Sequence, residues 1–384
     1  MRKIIQILLL FCIMLCTGCD FSTNSIANNK NTEIDSSSLE ENISTDDNFV
    51  NMEYYIDEKI SGDDMVRSAV QKLPLQVEDG WSLVSFAYSD NKVAYCCGKE
   101  ITMTNMVSEY RIHLLDLKTG LVETIITKTN PQDSNRMVTK VELLGNNLFW
   151  SEEENSEWKI KGYSLQENVE YIIVENGSTS AFAPNITAEN NKLFWYEGFV
   201  DENEQVNVII KEYVPGENMV THVNENAPIS LYSPYFIPKA IENGFQYETI
   251  KDDSLQIVLY DAEKNENHTY QIPKGIEVVK SISNNENIFW YDRSAKGKLY
   301  QLNKDKMETN LIYEFSSDDI IQEIFECNEK IILVTYNDIY CLFEGKLLVL
   351  YTVNENNVIL YPQRDNDSQL SFIENGELVI LSFE

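Results

Sequence analysis

The sequence is poor in cysteine, histidine and positive charge, and beyond its first fifteen residues it holds no long apolar run. Only Cys96, Cys97, Cys327 and Cys341 lie beyond residue 19, and no C-x-x-C pair occurs among them. That argues against a disulfide-built scaffold and against a cysteine zinc site. Cys327 and Cys341 leave two readings open, one structural disulfide or two buried thiols. The three histidines, His113, His222 and His268, are widely separated, and no G-x-S-x-G elbow, phosphate-binding Walker loop or G-x-G-x-x-G turn is present. The sequence therefore offers no catalytic constellation and no cofactor-binding signature. With 30 Lys and Arg against 62 Asp and Glu, the formal net charge is −32. Nucleic-acid phosphates and anionic headgroups would be repelled, so neither is expected as a partner of the chain body.

What is present begins at the N-terminus. Arg2 and Lys3 precede an apolar stretch from Ile4 to Leu15 that only Gln6 interrupts. A bilayer span needs about 20 residues, so this stretch is too short to be one. The run Leu15-Cys16-Thr17-Gly18-Cys19 resembles the lipobox of bacterial lipoproteins, although Cys16 stands where Leu is commonest. The resemblance implies a signal peptide over residues 1–18, cleavage between Gly18 and Cys19, and acyl chains on Cys19. A multi-chain anchor holds stably where one short chain binds only marginally. The chain would then sit on the cell membrane, facing outward from the cytoplasm. Removal of Arg2 and Lys3 with the leader would bring the net charge to −34, from 62 acidic and 28 basic residues.

Residues 19–52 are rich in Ser, Asn, Thr and acids. They lack the apolar content to fold and read as a tether of roughly 30 Å end to end. Residues 53–384 form the folded body. At its start, MEYYID is a candidate strand, and SGDDMVRSAVQKL (61–73) reads as a short helix capped by Ser61 or Asp63.

From Trp81 onward a polar–aliphatic–aromatic phrase recurs: NKVAY, NNLFW, NKLFW, NGFQY, ENIFW, EKIIL and DSQLSF. The phrases end at Tyr95, Trp150, Trp195, Tyr247, Trp290, Leu333 and Phe372, at intervals of 55, 45, 52, 43, 43 and 39 residues. A drifting period of this length, with short apolar runs separated by Asn, Asp, Gly and Ser turns, predicts four-stranded blades rather than helical repeats. The fold class is therefore all-β: a β-propeller of about seven four-stranded antiparallel blades, with six or eight as alternatives. The seventh unit supplies three strands before the chain ends, so an N-terminal strand, with MEYYID as candidate, is expected to close it. At period two, Leu148 and Trp150 share one face and Phe149 takes the other. Continuously apolar strands imply burial on both faces, and this places the aromatics in the core.

The segments NNLFWSE, NKLFWYE and ENIFWYD resemble the YWTD repeats of low-density-lipoprotein-receptor-type propellers, with Phe289, Trp290, Tyr291 and Asp292 at the four motif positions. Phe in place of Tyr, and Ser or Tyr in place of Thr, depart from that pattern. Bacterial envelope lipoproteins with such propellers form a broad group that the chain also resembles. The resemblance implies a monomeric binding platform for an envelope protein, peptide or glycan. Loops around SEEENSEW and GFVDENEQVN are long enough to shape its surface. The alternative is an envelope glycan hydrolase or lyase using carboxylates in the propeller funnel. Asp365 and Asp367, and Asp201 to Glu204, could offer oxygens to calcium but read as solvated hairpin tips.

Overall fold

The computed structural model describes residues 57–60 and most of 67–383, leaving out stretches that connect strands. Its described elements are all strands, arranged in seven antiparallel sheets. Blade 1 comprises Trp81–Ser89, Lys92–Lys99, Glu109–Asp116 and Val122–Thr129. Blade 2 comprises Arg136–Leu144, Asn147–Glu154, Glu157–Ser164 and Val169–Glu175. Blade 3 comprises Ile186–Glu189, Lys192–Val200, Val206–Tyr213 and Val220–His222, with Ile229–Ser230 also pairing with its third strand. Blade 4 runs through Lys239–Ile241, Gly244–Lys251, Ser254–Asp261 and Glu266–Gln271. Blade 5 runs through Val278–Ser283, Asn287–Asp292, Lys298–Asn303 and Glu308–Glu314. Blade 6 runs through Glu323–Cys327, Lys330–Val334, Asp338–Phe343 and Lys346–Thr352. Blade 7 takes Ile359–Asn366, Gln369–Glu374 and Glu377–Phe383 from the C-terminal end.

The fourth strand of blade 7 is Arg67–Pro74, and Asp57–Ile60 adds a fifth outside it. Closure by an N-terminal strand is thus as expected, but its identity is corrected. Residues 67–73, read from sequence as helix, are strand, paired from Ser68 with Phe383 to Pro74 with Glu377. Residues 61–66 lie outside the described residues, as do residues 52–56 of MEYYID, the leader, Gly18, Cys19 and the rest of the tether. The physical reason is competition. A helix of about 13 residues is marginal in isolation, whereas the open edge of the strand Glu377–Phe383 offers a ladder, and Val70 and Leu73 are buried there.

Seven blades match the repeat count, and the packing explains the repeated phrase. The described core falls into seven clusters, each joining the facing sides of two adjacent blades. Leu148 and Trp150 pack with Ala94, Cys96 and Ile112 of blade 1, while Phe149 packs with Ile186, Leu193 and Trp195 of blade 3. Trp290 joins Ile257 and Leu259 of blade 4, while Phe289 and Tyr291 join Ile324 and Leu333 of blade 6. Trp150, Trp195 and Trp290 are 0%, 2% and 0% exposed, so each motif aromatic is interior.

Cys96 and Cys97 follow the same alternation, the first facing blade 2 and the second blade 7. All four described cysteines are buried free thiols. Cys327 and Cys341 stand on the strands that flank Lys330–Val334 on either side. Two inter-strand spacings of about 4.8 Å separate them, more than a disulfide can bridge.

Replacing a tryptophan that fills one inter-blade cluster should cost far more than trimming an outer-edge side chain. Trp290→Ala is expected to lower the unfolding free energy by about 3–5 kcal/mol in urea denaturation, whereas Leu311→Ala on the exposed fourth strand of blade 5 should change it by about 0.5 kcal/mol or less.

Candidate functional site: the channel mouth

Because the strands of every blade alternate in direction, all seven innermost strands begin at the same face of the ring. That face also carries the second-to-third-strand loops and the inter-blade connections, and the latter run from six to sixteen residues. On the opposite face the first-to-second-strand hairpins are two or three residues long. Asp90-Asn91, with φ of 50° and 62°, shows the left-handed geometry of such tight hairpins. The connections 155–156 and 201–205 both join second to third strands, on this longer-connection face, but the SEEENSEW connection, expected from sequence to be long, is corrected: only two residues separate Asn147–Glu154 from Glu157–Ser164. Asp201 to Glu204 lie outside the described residues.

In or just before its innermost strand each blade supplies a polar residue: Ser85, Lys140, Asn185, Lys239, Lys280, Glu323 and Gln363. Blades 4, 5 and 6 are tied together there. Glu323 Oε1 accepts from Lys239 Nζ at 2.6 Å, and Oε2 accepts from Lys280 Nζ at 2.7 Å. Burial alone would raise the Glu323 carboxyl, but the two ammonium groups outweigh it and hold the pKa at about 2.

On the other side of the channel lies a cavity of about 460 Å³ lined by residues of blades 7, 1, 2 and 3, among them Ser85, Thr139, Lys140, Asn185, Tyr361 and Gln363. Lys140 Nζ is paired with Glu142 Oε1 at 2.6 Å. Burial prevails over that lysine, so the Glu142 carboxyl sits above its ordinary range. Behind Gln363 is Asp365. Gln363 Nε2 donates to Asp365 Oδ1 at 3.3 Å and to Ser371 Oγ at 3.0 Å, and Ser371 Oγ donates to Asp365 Oδ1 at 2.7 Å. Asp365 Oδ2 is shielded from solvent and has no hydrogen-bond partner. Burial pushes this carboxyl well above its usual range and Glu142 adds to the effect, against the hydrogen bonds from Ser371 and Gln363.

The reading of Asp365 as a solvated hairpin tip is therefore corrected. Bulges between Leu360 and Gln363 and between Arg364 and Asn366 carry Asp365 out of simple alternation, and the strand folds it against Ser371. Asp367 lies outside the described residues. Among the described residues no group of three or more His, Cys, Asp or Glu is placed to hold a metal ion. The histidines do not converge. His113 is buried in blade 1, stacked on Tyr95 at 4.9 Å with Thr124 Oγ1 3.1 Å from Nδ1. His222 and His268 stand on the fourth strands of blades 3 and 4.

Sequence reasoning also missed the work done by the fourth position of the aromatic motif. Glu152 and Glu197 are buried, and each accepts from the indole two residues earlier: Trp150 Nε1 at 3.4 Å and Trp195 Nε1 at 3.0 Å. Each also pairs with a lysine directly across from that tryptophan, Lys161 at 2.5 Å and Lys211 at 2.8 Å. Tyr110 of blade 1 donates to Glu152 as well. These acids are structural. A legible signal was available, since an acid and a tryptophan two apart share a strand face.

No protein-family model matches the sequence, and no curated protein matches it. Solved structures are similar at the level of fold. The β-propeller domain of the Trilobed protease from Pyrococcus furiosus has TM-score 0.52 and 13% identity, over 78% of this chain and 91% of that one. Pyrococcus horikoshii acylaminoacyl peptidase has TM-score 0.53 and 12% identity, over 77% of this chain and 49% of that one. An oligogalacturonate lyase in complex with manganese has TM-score 0.50 and 10% identity, over 86% and 96%.

Two pH responses of opposite sign follow. Glu323 titrates below its unfolded value of 4.5, so its contribution is present above that value and lost as pH falls toward about 2. Glu323→Gln should cost about 1.5–3 kcal/mol at neutral pH, and the gap from wild type should close in acid denaturation curves. Asp365 titrates above its unfolded value, so its contribution is largest in acid and declines as pH rises. Asp365→Asn should therefore gain in melting temperature relative to wild type as pH rises above the ordinary carboxylate range; a constant difference would contradict the assignment. With its described residues in seven antiparallel sheets, five of four strands and two carrying an added fifth, the chain is a seven-bladed β-propeller.

Proposed function

We propose that the protein is a lipid-anchored binding module on the outer side of the cell membrane, using the long-connection face of its propeller to hold an envelope protein, peptide or glycan. The observation that carries this reading is the channel-mouth cavity of about 460 Å³, lined by innermost strands of blades 7, 1 and 2 and by Asn185 of the connection into blade 3. Loops set on a rigid scaffold are where binding residues concentrate.

Binding is favoured over hydrolysis or elimination by what the wall carboxylates already do. Glu323 is engaged by two lysines, Glu142 by Lys140, and Asp365 by Ser371 and Gln363. A glycan hydrolase needs two carboxyls facing a substrate about 5–10 Å apart, and these three are turned to protein partners instead. The similarity of the Phe-Trp-x-acid units to YWTD repeats points the same way, toward a platform. The charge of −32 disfavours nucleic acid and anionic lipid as ligands. Membrane attachment rests on the lipobox-like run ending at Cys19, with Gly18 as the last residue of the leader.

Cross-linking of the full chain in intact envelopes, with capture and identification of what is joined to it, tests the binding role. A defined partner lost on occlusion of the long-connection face is the expected result. The anchor has its own test. Cys19→Ser should abolish incorporation of labelled palmitate and move the protein from the membrane fraction into the soluble one, and palmitate labelling that persists in the variant would refute acylation at this residue.

A further inference from the structure

We propose that the channel-mouth cavity is a seat for an organic cation, an ammonium or guanidinium group on an alkyl chain, with Tyr361 as its aromatic wall. The proposal rests on the binding role above and names the chemistry that the site would take.

Tyr361 lines the cavity and is 50% exposed, and its strand neighbour Leu360 is 38% exposed. Its backbone is left-handed, with φ of 53°. That is a costly conformation for a bulky residue, and Pro362 follows it, which ordinarily drives the preceding residue to extended geometry. Neither Tyr361 nor Pro362 has a partner in the second strand, because the bulge between Leu360 and Gln363 skips both. The chain thus accepts local strain on the innermost strand of blade 7 and presents a large ring to solvent in the channel. Bulges of this kind re-aim side chains beside functional sites.

Beside that ring Gln363 offers an acceptor. The Nε2 donors of Gln363 are committed to Asp365 and Ser371, which leaves its Oε1 as the atom available to a ligand. The only cation in the lining, Lys140, is neutralised by Glu142. An aromatic face with an acceptor and no free positive charge suits a donor-rich cation, and a body of net charge −32 steers cations toward it.

Two sources could supply this group, a free polyamine or a basic side chain of a partner protein. The test is isothermal titration of the purified full chain with spermidine, with an end-blocked lysine-containing peptide, and with a neutral oligosaccharide, repeated on Tyr361→Ala and Tyr361→Phe at equal melting temperature. Binding of spermidine or of the peptide that weakens about three- to tenfold in Tyr361→Ala and survives in Tyr361→Phe supports the seat; the tighter of the two probes names the source. Binding of neither cation, equal binding by Tyr361→Ala (adsorption to the acidic surface), or preference for the oligosaccharide overturns it. A partner captured from envelopes equally well by Tyr361→Ala would leave the binding role standing and refute the cation seat alone.

Discussion

Face-to-face packing of each sheet against both of its neighbours is the constraint from which the rest of the molecule follows. A second strand in this ring has no solvent side. Its alternate residues go to two different inter-blade clusters, as Trp150 and Phe149 do, and each large apolar side chain so placed contributes roughly 1.5–3 kcal/mol from burial. The same constraint governs the polar groups that enter the interfaces. Glu152 and Glu197 are tolerated there because an indole and a lysine satisfy them; a buried carboxylate stripped of its partner would cost several kcal/mol.

A closed ring also dictates where function can reside. Blade faces are consumed by packing, and outer strands carry exposed residues such as Ile172 and Leu311. What remains is the channel and the loops at its two ends. One end carries only hairpins of two to six residues, while the other carries the longer connections, the lysine–glutamate clasp and the cavity beside Tyr361. The division between the two faces is the structural basis for the proposal that binding resides on the latter.

The architecture was legible in the sequence because burial on both sides leaves continuous apolar runs. NIFWYD is buried at every position, and no half-exposed sheet would keep such a run apolar. Outer strands are less legible for the converse reason. Arg67–Pro74 has a polar pattern, and from Ala69 to Pro74 only Val70 and Leu73 are buried, so its local helix signals outweighed a strand signal that exists only through the edge it completes. The channel mouth was illegible for a different reason. Its seven polar residues come one at a time from innermost strands some forty to fifty residues apart, as the roughly 40–50-residue repeats of propellers require, and several of those strands are short, Lys239–Ile241 having three residues. Asp365 shows the limit most plainly. In sequence it sits in an acidic, turn-like stretch, and only the two bulges of the strand Ile359–Asn366 turn it toward Ser371.

Native-state hydrogen exchange, followed by mass spectrometry across increasing denaturant, tests the closed, doubly packed ring most directly. Peptides covering the second strands Lys92–Lys99, Asn147–Glu154, Asn287–Asp292 and Gln369–Glu374, together with Arg67–Pro74 of the closing blade, should exchange through one shared opening. A closing strand that exchanges far ahead of its partner Glu377–Phe383, or a Trp-bearing second strand that opens on its own at low denaturant, would contradict it.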